Sequence, residues 1–393
     1  MEGLIALSFV LVIYSIGDFI SQKTKSIVSM MFTASVLFMT AFWLGIPTTL
    51  FEDAQLIGLG SLLVGLLITH MGTLLNFSDL KIQWKTVIIA LSAVIGVGIF
   101  LFIVGTPILG REYAIAAAPP ISGGVVAALI MGEAATAKGL NEIAVFATIL
   151  VVVQGFFGYP LASYFLNREA KSILKRKKDE IVSKGNLNIK DTDGQVVSKK
   201  KIIPLLPKEF QTNFILLAKL SLTALLSIKL AELTNSIIHP FVMCLFVGIV
   251  ACEIGFLERD ILTKANSFGL AMVGLMAVMF SSLTKATPEM VLSLLFPIVA
   301  SLTLGTVGII IFSVIAGKLL GISPSMAIAI GATALFGFPG TYILSNEVAN
   351  ANAETEEEKE MILDEILPKM LVAGFITVTI ASVILAGIMS KMF

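Results

Sequence analysis

The chain has 393 residues, of which 56% are hydrophobic and only 14% charged, and its mean hydropathy is +0.96. A soluble domain carries roughly 25% charged residues, so a water-soluble globular fold is excluded. Lys and Arg number 27, as do Asp and Glu, and this zero balance gives no reason to expect nucleic acid or an acidic protein as partner.

Apolar runs of about 20 residues, each enough to cross a bilayer core of about 30 Å, recur along the chain. In the first half, spans are predicted over 3–20, 27–47, 56–76 and 84–104. A stretch near 114–132 follows, interrupted by Gly and Pro, and then a span over 143–166. The opening Met1-Glu-Gly-Leu-Ile has no basic leader and no small-residue cleavage site behind it. The first run therefore reads as a retained span and not as a signal peptide.

Residues 167–211 form a polar linker. Twelve Lys and Arg lie between Arg168 and Lys208 against five acids, a local charge of about +7. The segment reads as a solvated connector, helical over 167–181, or as one that docks on anionic lipid headgroups. The second half repeats the plan, with spans over 212–232, 237–254, 265–283 and 291–318, a broken stretch over 325–345, and a last span over 366–391.

The two broken stretches match at an offset of 214 positions: Gly123 falls on Gly337 and Glu133 on Glu347. The same offset pairs Leu59-Gly60 with Val273-Gly274. Agreement at one offset points to a duplicated unit, with an N-terminal repeat over 1–166 and a C-terminal one over 212–393. Basic residues belong on the cytoplasmic side of short loops. Placing Lys23, Lys25, Lys81 and Lys85 inside puts the N-terminus and Arg111 outside. The basic linker then stays cytoplasmic only if segment 114–132 enters and leaves from the outer face. The second broken stretch re-enters from the cytoplasm, and the C-terminus lies outside. The expected fold is all-α and polytopic: two inverted repeats of five transmembrane helices, each with a re-entrant Gly-rich segment. The expected location is the cell membrane.

Irregular backbone at membrane depth needs burial in protein or a wet cavity. Breaking a helix frees N–H groups that bind anions and carbonyls that ligate sodium. The candidate substrate residues are Ser122, Gly123, Gly124, Thr333, Gly337, Gly340, Thr341 and Asn346, with Ser345 as a further polar neighbour. Sodium, as coupling ion, is expected at backbone carbonyls near Gly123 and Gly337. Glu133, Glu347 and His70 are candidates for ion coupling, because ionisable groups within the membrane are costly and usually functional. Against this stand packing roles for the glycines and interfacial positions for both glutamates. Asp18, Glu232 and Glu253 sit near span ends, Lys229 pairs with Glu232 at i, i+3, and His239 before Pro240 reads as a loop residue. Glu354–Glu360 read as a solvated acidic turn. Cys244 and Cys252, eight positions apart in one apolar run, read as buried small hydrophobes.

The chain has no phosphate-binding Gly-x-x-x-x-Gly-Lys-Ser/Thr loop, no His-Glu-x-x-His helix and no Gly-x-Ser-x-Gly elbow. An enzyme is therefore not expected, nor is a cofactor other than the coupling ion.

Three stretches of the second half carry a resemblance: Leu295-Phe-Pro-Ile-Val299, Ala329-Ile-Gly-Ala-Thr-Ala-Leu-Phe-Gly-Phe-Pro-Gly340 and Ile366-Leu-Pro-Lys-Met-Leu-Val-Ala-Gly374. Over about 290–391 the chain resembles the glutamate:sodium symporters and, more distantly, the 2-hydroxycarboxylate transporters. The first half is similar mainly through Ser122-Gly-Gly124, followed here by Val125-Val126 where that family has a polar residue. The resemblance implies sodium-coupled uptake of a carboxylate by elevator-type movement. The expected function is a secondary transporter for a small carboxylate or amino acid, such as glutamate, coupled to Na⁺ or H⁺. The expected partners are that substrate, the lipid bilayer and a second copy of the chain in a homodimer. A channel or uniporter, or a membrane-bound ligand sensor, would use the same two stretches.

Overall fold

A computed structural model describes residues 2–74, 83–184, 203–204, 206–233 and 240–393. The described residues contain helices and no strands. Among the described residues eight helices are long and apolar enough to cross a membrane, so the chain is a polytopic helical membrane protein. The acidic turn before the last span is as expected, and His239 and residues 185–202 and 205 of the basic linker lie outside the described residues.

The elements come twice, in one order and with closely similar lengths. Helices α1 (Gly3–Lys23), α2 (Met30–Trp43), α3 (Leu50–Asp53) and α4 (Leu56–Leu74) open the first half. They are matched by α10 (Asn213–Leu233), α11 (Pro240–Ile254), α12 (Ile261–Lys264) and α13 (Phe268–Ser281). Between them lie α5 (Trp84–Leu109), α6 (Arg111–Ile121), α7 (Val125–Ala137), α8 (Asn141–Val153) and α9 (Gly155–Lys184). The second half closes with α14 (Pro288–Ser293), α15 (Leu295–Leu320), α16 (Pro324–Ala332), α17 (Gly340–Asn352), α18 (Glu356–Phe375) and α19 (Ser382–Met389). Helix α9 runs well past the predicted span, into the segment expected to be helical linker.

One of the expected spans is short: helix α2 has 14 residues, about 21 Å at 1.5 Å per residue. The reason for α2 is local. Ser29 caps its start by accepting from the Phe32 N–H at 3.1 Å, and the chain turns at Gly45, where φ is +100°.

Packing sorts the helices into two bundles, each drawn from both halves. Helices α1–α4 pack with α10–α13, while α5–α9 pack with α15–α19. Small residues at the crossings let the backbones touch, as membrane helices require in the absence of a hydrophobic drive between them. A Cβ on Gly60 of α4 would run into the carbonyl oxygen of Gly274 on α13. At the α5–α15 crossing the contacts are reciprocal. A Cβ on Gly96 would lie 2.6 Å from Phe312 and 2.8 Å from the Gly308 oxygen, and one on Gly308 would lie 2.9 Å from Phe100 and 2.7 Å from the Gly96 oxygen.

These crossings give a clean test within one helix. Gly60→Leu should destabilise the protein by roughly 1–3 kcal/mol, the usual cost of overpacking. Gly58→Leu, two residues away with open space around it, should stay within about 0.5 kcal/mol. Thermal unfolding in detergent reads both; equal losses would remove the crossing from the account.

Candidate functional site

Both broken stretches end in glycines that no other residue replaces easily. Helix α6 carries Pro119 and Pro120 in its last turn, which removes two N–H donors and stops the helix at Ile121. The chain then passes Ser122 and Gly123, where φ is +106°, and restarts as α7 from Gly124. In the second half a short turn over Thr333–Leu335 follows α16, Gly337 takes φ +57°, and α17 starts after Pro339.

The two breaks meet. A Cβ on Gly123 would strike the Ala334 carbonyl oxygen and come within 2.7 Å of Val378. One on Gly337 would lie 2.5 Å from the same Val378 side chain. Val378 sits in Ile376–Ala381, where the last helix widens by one residue per turn. Such local widening is frequent at functional sites.

A cavity of about 400 Å³ opens beside this junction, on the seam between the two bundles. One bundle contributes Val64 and Ile68 of α4, Phe241 of α11 and Leu275, Val278, Met279 and Phe280 of α13. The other contributes Gly123–Val126, Gln154, Phe156, Leu335, Phe338, Pro339 and Val378. No charged side chain is among the described residues that line it.

The two helix starts at this cavity differ. The N–H groups of Thr341, Tyr342 and Ile343 at the start of α17 are taken by carbonyls of Gly337 and Pro339. At the start of α7 the first bond is from the Ala128 N–H to the Gly124 oxygen. The N–H groups of Gly124, Val125, Val126 and Ala127 meet no acceptor among the described residues. Val125 and Val126 are 63% and 47% exposed and line the cavity.

Of the residues singled out in the sequence, only Gly123 and Gly124 line the cavity; Gly337 and Gly340 lie beside lining residues. Ser122 is buried and donates to the Pro119 oxygen at 2.7 Å. Thr333 donates to the Ile330 oxygen at 2.7 Å and faces the Thr377 hydroxyl at 3.4 Å. Thr341 is buried, its hydroxyl without a partner, and Asn346 donates to the Tyr342 oxygen at 2.9 Å. These hydroxyls and this amide mostly satisfy the backbone of their own helix.

The three ionisable candidates part company. Glu133 is exposed, on a surface groove between α7 and α8. Glu347 is partly buried at the start of α2 and accepts from the Met30 N–H at 3.1 Å and the Ser21 hydroxyl at 3.0 Å. Its carboxylate thus ties α17 to α1 and α2 across the seam and sits at the positive end of a helix. His70 is fully buried, and its Nδ1 accepts from the Leu262 N–H at 3.3 Å, so Nε2 carries the proton. Nε2 points at Asp260 Oδ1, 3.6 Å away. His70 therefore closes the start of α12.

One residue was missed. Gln154 is only 6% exposed, lines the cavity, and its Oε1 has no hydrogen-bond partner. The available signal was a lone carboxamide in the apolar run Ile149-Leu-Val-Val-Val-Gln154. No protein-family model and no curated protein matches the chain.

The Glu347 tie across the seam is directly testable. Glu347→Ala should cost about 1–3 kcal/mol, because the Met30 N–H and Ser21 hydroxyl lose their acceptor. Glu133→Ala, at the matching position but exposed, should stay within about 0.5 kcal/mol. Thermal melting of the two variants side by side checks the asymmetry.

Proposed function

We propose that the protein is a secondary transporter for a small carboxylate or amino acid, driven by a Na⁺ or H⁺ gradient. One observation carries this reading: two separate helix breaks open on a single cavity at the seam between two bundles. Paired broken helices around one site are the usual plan of secondary transporters, with freed N–H groups for an anion and freed carbonyls for a cation. On this reading the seam is where one bundle slides against the other, carrying the cavity between the two faces of the membrane in an elevator-type cycle.

The finer architecture belongs to the same proposal. The two halves are inverted repeats, with the segment from α6 to α7 re-entering from outside and that from α16 to α17 from the cytoplasm. The reciprocal contacts at the α5–α15 crossing support it. Phe312 covers Gly96 while Phe100 covers Gly308, and both pairs are related by 212 positions. Residues meeting their own counterparts are what a local two-fold axis produces. The basic linker is then cytoplasmic and both termini are outside.

Purified protein in liposomes should take up a carboxylate or amino acid faster when a sodium or proton gradient is imposed. Val126→Trp, which fills the cavity from an exposed position, should abolish that uptake while leaving the melting temperature unchanged. Discrete single-channel currents, or flux indifferent to every gradient, would reject the coupled-transporter reading.

A further inference from the structure

We propose that the cavity selects a monocarboxylate with an apolar body, its single carboxylate held between the first turn of α7 and the side chain of Gln154. This rests on reading the cavity as the transport site, and it narrows the substrate to a class that excludes amino acids and dicarboxylates.

The argument starts from what the cavity offers a ligand. Its walls are Val64, Ile68, Leu275, Val278, Phe336 and Phe338, with backbone and a few polar groups between them. The hydroxyls of Ser35, Ser282 and Thr379 each donate to a carbonyl of their own helix, those of Met31, Met279 and Phe375. They keep lone pairs but have no proton to offer an anion. Tyr159 lays its ring against Phe336 at 5.1 Å. The free backbone donors are the first-turn N–H groups of α7, where the helix dipole also favours negative charge. Gln154 adds a buried carboxamide that makes no hydrogen bond within the protein. Its unmet Oε1 is an acceptor that a carboxylate cannot satisfy, so the group it offers an anion is the Nε2 amide, on a residue that lines the same cavity as this helix start.

This set binds one carboxylate and little else that is charged. An amino acid brings an ammonium group, and none of the described lining residues is a carboxylate that could pair with it. A dicarboxylate brings a second anion, and none is an Arg or Lys. An unpaired charge taken out of water is expensive enough to decide specificity on its own. The rest of the substrate meets valine, leucine and phenylalanine, so an apolar body is favoured by burial.

The test compares three ligands that share one skeleton with a fourth that does not, using the full-length protein in detergent and in liposomes. The probes are 4-methylpentanoate, leucine, which adds only an ammonium group to it, 4-methylpentanamide, which removes the charge, and glutamate. Ligand that binds the native state raises its melting temperature. 4-Methylpentanoate is expected to raise it and to be taken up, and the other three to bind at least tenfold more weakly. Gln154→Leu should weaken 4-methylpentanoate about tenfold without lowering the melting temperature of the ligand-free protein, since the carboxamide has no protein partner to lose and its unmet oxygen is costly.

Tighter binding of leucine or glutamate, with gradient-driven uptake, would overturn the monocarboxylate assignment and leave the transporter reading standing. Binding of 4-methylpentanoate undiminished in Gln154→Leu would overturn the role of Gln154. Binding of 4-methylpentanoate with no vectorial uptake would keep the ligand class and reject transport. No response to any of the four probes would overturn the assignment.

Discussion

Backbone that leaves a helix inside an apolar protein must be covered, because hydrocarbon offers it no hydrogen-bond partner. The rest of this structure depends on how that constraint is met at two places at once. Gly123 and Gly337 each adopt a left-handed conformation and press against one side chain, Val378. Neither break shields itself alone. Gly123 is covered by the Ala334 carbonyl of the other half and by the last helix, and Gly337 by the last helix, so the halves of the chain have to interlock before the first break is stable. The widened turn over Ile376–Ala381 supplies the room in which Val378 fits between them.

The interlocking shapes everything outward from that junction. Because the first four helices of each half pack together, and the remaining ones likewise, the seam between the bundles crosses the chain's duplication instead of following it. Gly60 against Gly274 holds one bundle at its centre and Gly96 against Gly308 the other. Glycine at these points removes the side chain that would keep the axes apart. Polar links across the seam gather at the turn between α1 and α2: Glu347 reaches Ser21 and Met30, and Asn167 donates to the Ser26 oxygen at 3.2 Å. The cavity side of the seam is apolar. A seam fastened by hydrogen bonds at one end and by apolar contact elsewhere is suited to the sliding proposed for the transport cycle.

Much of the framework was legible in the sequence because apolar run length and Gly/Pro interruption are one-dimensional signals. The two breaks follow from them, whereas the offset that matched Gly60 with Gly274 marked a duplication and did not show that the two glycines touch. The short α2 was not legible, since hydropathy does not see the Ser29 cap or the turn at Gly45. Side-chain direction was not legible either. Ser122, Thr333, Thr341 and Asn346 have the chemistry of ligands, but three of them bond to backbone of their own segment and Thr341 is buried with its hydroxyl unmet. Gln154 lies outside both broken stretches and reaches the cavity only because α8 and α9 pass it. Glu133 and Glu347 match in sequence and differ in setting, because only Glu347 faces the other bundle.

The electrostatics of the site follow from where the charges are not. Buried glutamates in this chain are spent on structure: Glu258 holds Lys219 at 2.6 Å, and Glu169 accepts from Ser323, which caps α16. Both bundles thus neutralise their own interior charges, and the described walls of the cavity are left with backbone dipoles and one unmet carboxamide. In such surroundings a dipole is worth more than in water, because little else screens it. The open start of α7 therefore acts as a fixed partial positive charge that costs nothing to orient, whereas α17 has closed its own N–H groups in a tight turn. The asymmetry between two otherwise matched helices gives the cavity a direction, with unbonded N–H groups at one end and an apolar wall at the other.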